Sequence, residues 1–338
     1  WWHLRGNNLA EMSDRELKQA AATGSVFARV APAQKLQLVE ALQAEGEIVG
    51  HGRGMGVERC PPRIKQADIG IAMGKGGTEV ARESAAMLLT DDNFASIEAA
   101  VEEGRTVYQN LRKAIAFLLP VNGGESMTIL ISALLARDLP ILSLQVLWLN
   151  MINSITMTVP LAFEPKSPGV MQQPPRNPNE PLLTPRLFRR ILVVSIFNWI
   201  LIFGLFEWAQ FTTGNSAVAR TIAIQALVAA RIVYLLSISQ LGANIGRYFR
   251  GQRQAIANAP ILLLGIVTAI VLQVLFSQWR VMNTLFDTAP LSWQQWLICL
   301  LPMLPMIPTA LLANRLDPPQ PTALCKSRGA QVNHPEPH

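Results

Sequence analysis

Half of the 338 residues are hydrophobic and only 15% are charged, a balance that suits a membrane protein better than a soluble one. The net charge of +6 is modest, and the Lys and Arg residues lie beside apolar runs rather than on one basic face, which argues against nucleic acid as a partner. Cys60, Cys299 and Cys325 have no paired spacing, so neither a disulfide framework nor a zinc site is indicated. The chain opens on Trp1-Trp2-His3, with neither an initiator Met nor a signal-peptide pattern, and reads as a piece of something longer.

Residues 1–110 are soluble in character. Ser13-Asp14-Arg15-Glu16 is a capping box that predicts a short helix. Residues 25–30 (SVFARV) read as a strand, and Pro32 then starts a helix with Leu36, Val39 and Leu42 on one face. Residues 68–73 (DIGIAM) read as a buried strand, followed by glycine-rich punctuation and a helix from about Thr78. This alternation implies a parallel α/β sheet. From 95 to 136 only Gly104, Pro120 and the Gly123-Gly124 pair interrupt a helical pattern, so one long helix is predicted to leave the soluble part and enter the membrane.

Residues 117–165 form a hairpin of two apolar runs joined by Arg137-Asp138. Each run, at about 20 residues, is long enough to cross a bilayer. Yet the first carries Asn122 and Glu125, and the second carries Asn150, Asn153 and Ser154. Polar groups at membrane depth are costly and often mark an ion path; such amides also serve simply to hold helices together. Pro120 and the glycine pair loosen the first run beside Glu125, where a freed backbone carbonyl can join side-chain oxygens around a cation. Four more spans follow, giving six in all, at about 114–136, 139–163, 189–211, 217–238, 260–278 and 293–312.

Lys166, Arg176, Arg186, Arg189 and Arg190 follow the second span, Arg247, Arg250 and Arg253 the fourth, and Arg315, Lys326 and Arg328 the sixth, which places both termini in the cytoplasm. The Pro-rich link 165–185 reads as an extended connector, and residues 317–338 as a disordered cytoplasmic tail. Trp279, Trp293 and Trp296 read as interfacial anchors. Arg220 lies near an end of the fourth span and can snorkel. Arg231 lies roughly 16 Å further along at the helical rise, near mid-membrane, and needs a partner. Glu125 is the one carboxylate within the hairpin's apolar runs and is the candidate; bonding to helix-end carbonyls or reaching the cytoplasmic surface is the alternative.

Several motifs carry a family resemblance. Asn122-Gly123-Gly124-Glu125, Leu147-Trp148-Leu149-Asn150, Phe163-Glu164-Pro165 and Pro174-Pro175-Arg176 resemble the fifth and sixth transmembrane helices, and the exit segment, of P-type cation-transporting ATPases of the calcium-pump and related bacterial branches. Gly70-Ile71-Ala72-Met73-Gly74, Gly77-Thr78-Glu79-Val80-Ala81, Asp91-Asp92-Asn93-Phe94 and Glu102-Glu103-Gly104-Arg105 extend it into the soluble part. The resemblance covers about Phe27 to Leu316.

It implies a multi-pass α-helical membrane domain of six transmembrane helices (111–316), preceded by the remnant of an α/β haloacid-dehalogenase-like phosphorylation domain and stalk (1–110). Phe27-Ala28-Arg29-Val30-Ala31-Pro32-Ala33-Gln34-Lys35 matches the segment whose lysine steadies an aspartyl phosphate, which makes Lys35 a catalytic candidate that neutralises a transferring phosphoryl group. Asn122, Glu125, Asn150, Asn153 and Ser154 become ion-binding candidates and Arg231 an internal counter-ion. The whole pump would use ATP and magnesium, meet membrane lipid and a transported cation, and lie in the plasma (inner) membrane. The chain as given would need its missing N-terminal part, since the phosphorylated Asp-Lys-Thr-Gly motif is absent, and no cofactor is expected for it alone.

The pattern fails in two places. Where the family has Ala-Met-Thr-Gly-Asp-Gly-Val-Asn-Asp-Ala-Pro-Ala-Leu, whose acidic residues hold magnesium, residues 50–64 read GHGRGMGVERCPPRI, without an Asp. Shifted by one base, codons for Gly50-His51-Gly52-Arg53 can spell Ala-Met-x-Gly, and those for Glu58-Arg59-Cys60-Pro61 can spell Asn-Asp-Ala-Pro. A local frameshift, later restored, explains this; true divergence is the alternative, and a P-loop is a poor one because Gly-Lys-Ser/Thr is missing. The calcium branch also continues its second helix Asn-x-x-Thr-Asp, where this chain has Asn150-Met151-Ile152-Asn153-Ser154, so one carboxylate is lost. A non-catalytic membrane protein or pseudogene product is a rival reading. A secondary transporter or channel is another, though no internal repeat is visible among the spans.

Overall fold

The computed structural model describes residues 3–5, 12–24, 26–53, 67–77, 79–173, 180–242, 245 and 260–318. The chain divides into two compact units, one ending at Val101 and the other beginning at Glu102. That boundary falls earlier than residue 110, inside the long helix.

In the first unit, β1 (His3–Arg5) pairs in parallel with β2 (Val26–Ala28), and β3 (Gly50–Arg53), β4 (Ile69–Met73) and β5 (Met87–Leu89) form a parallel sheet with β4 in the middle. The central strand buries Ile71, Ala72 and Met73, as its unbroken apolar run predicts. Helices α1 (Asp14–Thr23) and α2 (Pro32–Ala44) join through Leu17, Ala21, Leu38 and Ala41. The Ser13 amide donates to Glu16 Oε2 at 2.8 Å, the capping contact legible in the sequence. A short helix, α3 (Glu79–Ser84), links β4 to β5. Strand β3 is the start of the 50–64 segment; residues 54–64 lie outside the described residues.

The second unit is helical. Helix α4 (Ala95–Leu134) starts in the first unit and is continuous through Pro120. The second run of the hairpin is not one α-helix. It is α5 (Ser143–Ile152), a π segment (Asn153–Thr158) and α6 (Val159–Ala162). Pro160 supplies no N–H, and the Val159 amide reaches back five residues to the Ser154 carbonyl, the signature of a π turn. Helices α7 (Pro185–Thr213), α8 (Ser216–Ile238), α9 (Pro260–Gln278), α10 (Arg280–Phe286), α11 (Trp293–Leu300) and α12 (Met303–Leu316) complete the unit. Among the described residues five helices are long and apolar enough to cross a membrane: α4, α7, α8, α9, and α11 with α12 counted as one. Of the six spans predicted, the 139–163 run is the one that does not appear among these five, because it is broken into shorter segments.

Helix α8 is the hub, packed against α7, α11 and α12 and touching α9. Its Ala219, Ala223, Ala226 and Ala230 are fully buried, and small side chains let neighbouring backbones come close. Helix α9 lies along the π segment, where a Cβ on Gly265 would overlap the Thr156 carbonyl.

Two expectations need correction at the chain ends of these spans. Asp317 is not the start of a free tail: it is 5% exposed, and its Oδ1 takes Arg112 Nη2 at 2.7 Å. Residues 319–338 lie outside the described residues. The start of the 165–185 link is clamped rather than extended, because Arg105 Nη1 donates to the carbonyls of Val170 (3.1 Å) and Gln173 (2.8 Å).

Candidate functional site

The site grows from two prolines. In α4, Pro120 lacks an N–H, so the carbonyl of Ala116, four residues earlier, loses its helical donor. Tyr234 of α8 replaces it, its hydroxyl donating to Ala116 O at 2.8 Å. The freed carbonyl is therefore already used, which corrects the expectation that it turns toward an ion. The Pro120 carbonyl accepts from Ser195 Oγ (3.2 Å) on α7, and Asn198 Nδ2 of the same helix lies at 3.5 Å. Gly123 and Gly124 make this close approach possible: a Cβ on Gly124 would stand 2.6 Å from Asn198 Cβ.

One turn further along α4, Glu125 Oε1 meets Arg231 Nη2 at 2.7 Å, with side-chain exposures of 2% and 1%. Two charges this deep are retained only when paired, because each unpaired ion loses its hydration. The pair uses one N–H of the guanidinium; Arg231 Nε and Nη1 have no partner among the described residues. Arg220 pairs with the exposed Asp287 through its Oδ2 at 2.6 Å and donates to Leu139 O.

The second proline, Pro160, belongs to the broken α5–π–α6 run, and the polar residues singled out there sit in or beside the break. Asn153 is fully buried, and neither its Oδ1 nor its Nδ2 has a partner among the described residues. Asn150 Oδ1 and, on α4, Asn122 Oδ1 are likewise buried and unpartnered. Ser154 is half-buried, and its carbonyl accepts the π hydrogen bond. The geometry thus joins Glu125 to Arg231 directly and places the amides on the two helices of the hairpin. Lys35 belongs to the first unit, exposed in the first turn of α2.

Sequence reasoning missed Tyr234, Ser195, Asn198, Gln225 and Gln273. Gln225 Nε2 donates to the Gln273 carbonyl at 2.9 Å, and both amide atoms of Gln273 are buried and unpartnered among the described residues. A polar residue inside an apolar span was the available signal, the same one that exposed Asn150 and Asn153.

Where α6 ends, Glu164 fastens the broken run. It is 4% exposed; Oε2 takes Lys113 Nζ at 2.8 Å and Oε1 accepts the Gln240 amide at 2.9 Å. Asn110 Nδ2 donates to Glu164 O at 2.6 Å. In the first unit, Asp92 accepts from the amides of Lys75 (3.0 Å) and Gly76 (2.7 Å). These bonds, led by that from Lys75, hold its carboxyl below the usual carboxylate range.

Long apolar helices with a buried ion pair and a broken helix among them define an integral membrane domain. The family described as "Cation transporting ATPase, C-terminus" matches residues 138–316. The chain is 74% identical over 315 residues to "Cation-transporting ATPase pma1" of Synechocystis sp., a match covering 93% of this chain and 35% of that protein. It is 44% identical over 293 residues to "Probable cation-transporting ATPase F" of Mycobacterium tuberculosis, covering 87% and 32%. To the "Calcium-transporting ATPase" of Bacillus subtilis it is 33% identical over 324 residues, covering 93% and 34%. The chain belongs to the P-type cation-transporting ATPase family, whose C-terminal membrane region it carries. It spans about a third of the length of these curated relatives.

Proposed function

We propose that this chain is the ion-handling part of an ATP-driven cation pump in which aspartyl-phosphate formation elsewhere in the protein drives transport through a site around Glu125. The observation that carries the reading is the buried Glu125–Arg231 pair, with the unpartnered oxygen of Asn122 one turn away on α4 and those of Asn150 and Asn153 on the second run of the same hairpin. A carboxylate and amide oxygens are the ligands a cation needs, and the break at 153–158 frees backbone carbonyls to join them. Arg231 would act as a resident counter-ion. With its charge already in place and Ser154 where the calcium branch has Asp, a proton or a monovalent cation fits better than a divalent one. The broken run would be the sixth membrane span, with both termini cytoplasmic and the plasma membrane as the setting.

The first unit would be the remnant of a haloacid-dehalogenase-like phosphorylation domain, in which Lys35 offsets phosphoryl charge. Its parallel β–α–β order suits that fold. Magnesium does not fit the residues present: residues 50–64 hold Glu58 as their sole carboxylate. Nor does the sequence hold an Asp-Lys-Thr-Gly nucleophile. The chain by itself is therefore expected to hydrolyse no ATP.

The test is reconstitution of a full-length pump, with the family's Gly-Asp-Gly-x-Asn-Asp sequence restored across 50–64, into sealed vesicles. ATP-driven uptake of a proton or monovalent cation that Glu125→Gln abolishes is the expected result. Uptake unchanged by Glu125→Gln would overturn the assignment.

A further inference from the structure

We propose that the interface between the α5–π run and α9 encloses a water-filled chamber at the level of Asn150, Asn153 and Gln273, and that Phe286 is its plug. Two contacts fix the register of this interface. The rings of Trp148 and Phe276 stack with centroids 5.4 Å apart, and the Thr156 carbonyl lies against Gly265. The chains therefore run antiparallel, with Asn150 and Asn153 on one side and Gln273 on the other, all between those contacts. Gln225 on α8 pins Gln273 through its backbone carbonyl.

Six buried polar atoms in this stretch have no partner among the described residues: Trp148 Nε1, Asn150 Oδ1, both amide atoms of Asn153 and both of Gln273. Gln273 is 3% exposed and Asn153 fully buried, so bulk solvent does not satisfy them. Leaving so many amide groups unbonded in an apolar bundle is expensive. Three are acceptors and three are N–H donors. Water, which both donates and accepts, can satisfy the two kinds together.

The polar row ends at Trp148, and there three aromatic rings close it. Phe286 lies 5.3 Å from Trp148 and 5.2 Å from Phe276, centroid to centroid. Phe286 is the last residue of the seven-residue helix α10, followed by Asp287 in the left-handed region (φ 51°). Side chains from α5 and α8 latch this short helix. Gln145 Nε2 donates to Phe286 O at 2.7 Å, Arg220 pairs with Asp287, and Thr221 Oγ1 accepts the Ala289 amide at 3.0 Å. A seven-residue helix held by polar contacts from three side chains is a small unit that can open without disturbing the spans. That the chamber is one half of the ion's route rests on the pump reading above; its hydration and its plug do not.

The experiment uses the 338-residue chain in detergent with Cys60, Cys299 and Cys325 changed to Ala and a single thiol introduced by Asn150→Cys. In deuterium oxide its S–H infrared band should exchange within minutes; a thiol that keeps its proton for hours would overturn the hydration. A bulky, charged methanethiosulfonate reagent should then react slowly with the same thiol, and about tenfold faster once Phe286→Ala is added, the size of effect expected for local opening. Asp287→Ala, which leaves the ring in place and frees the latch, should give a smaller increase of about threefold. A thiol introduced instead by Ala223→Cys, buried against α7 and α11, should stay unreactive throughout. An unchanged rate in both plug and latch variants would overturn the plug, as would an equal rise at position 223. If Phe286→Ala fails to fold, the latch variant decides alone by the same criterion.

Discussion

The hydroxyl of Tyr234 donates at 2.8 Å to the carbonyl of Ala116, the one carbonyl of α4 that Pro120 leaves without a helical donor. The same hydroxyl accepts from Arg190 Nε at 3.0 Å, and Arg190 continues to Asn314 on α12. A proline in the middle of a long helix is thus repaired by a side chain one turn from Arg231, so α4, α7, α8 and α12 share one polar joint next to the ion pair. Tyr234→Phe removes the repair while keeping the ring. It is expected to destabilise the solubilised chain by about 1–3 kcal/mol, because the Ala116 carbonyl is then buried and unpaired. Thermal unfolding in detergent checks this, and no change in midpoint would contradict it.

Two glycines of α4 should respond in opposite senses. Gly124→Ala forces a methyl to within 2.6 Å of Asn198 Cβ and should cost about 1–3 kcal/mol by pushing α4 from α7. Gly104 has open space around its Cβ position, so Gly104→Ala should be neutral or stabilising by up to about 1 kcal/mol through helix propensity. Equal effects at the two positions would show that the close approach at Gly124 does not constrain the bundle.

Much of this arrangement was legible in the sequence, and the rest was hidden for definite reasons. The length of α4, the depth of Glu125 and the isolation of Arg231 on an apolar span all follow from periodicity and the cost of buried charge. What failed was the location of the break. Pro120 with two glycines looked like the weak point, yet Tyr234, Ser195 and Asn198 from other helices restore that stretch. The break falls at Pro160, which has no comparable side-chain repair among the described residues, and the ladder there runs through a π turn. Tertiary donors cannot be read from one segment's pattern. The capture of Asp317 by Arg112 was invisible for the same reason, since 205 positions separate them.

Lys113→Met should strand Glu164, which is 1% exposed at its side chain and ties α6 to both α4 and Gln240. Lys113 itself is 19% exposed and Glu164 keeps the Gln240 amide, so the loss should be about 1–3 kcal/mol rather than the full value for a buried pair. Pairing it with Glu164→Gln should recover part of the loss. A double variant no better than Lys113→Met would mean that the carboxylate is not what the lysine satisfies.

The Gly74–Gly77 turn should loosen in acid. Asp92 holds the Lys75 and Gly76 amides, and its carboxyl is lowered by those bonds. A depressed carboxyl contributes stability that is fully present above its unfolded value, about pH 4, and is lost as the pH falls through the lower folded value. Hydrogen-exchange protection of the two amides, corrected for intrinsic rates, should be greater at pH 5 than in stronger acid, and Asp92→Asn should remove that dependence. Protection that is flat with pH in the unmodified chain would contradict the assignment.

The central claim is that Glu125 and Arg231 form one coupled unit at the heart of the membrane domain. A double-mutant cycle on Glu125→Gln and Arg231→Gln, read as unfolding free energy in detergent, tests it most directly. Each single change should cost about 3–5 kcal/mol because it leaves the other charge buried and alone, and the double variant should cost clearly less than their sum. Additive losses would show that the two residues do not depend on each other, and the reading of Arg231 as a resident counter-ion would fall with that result.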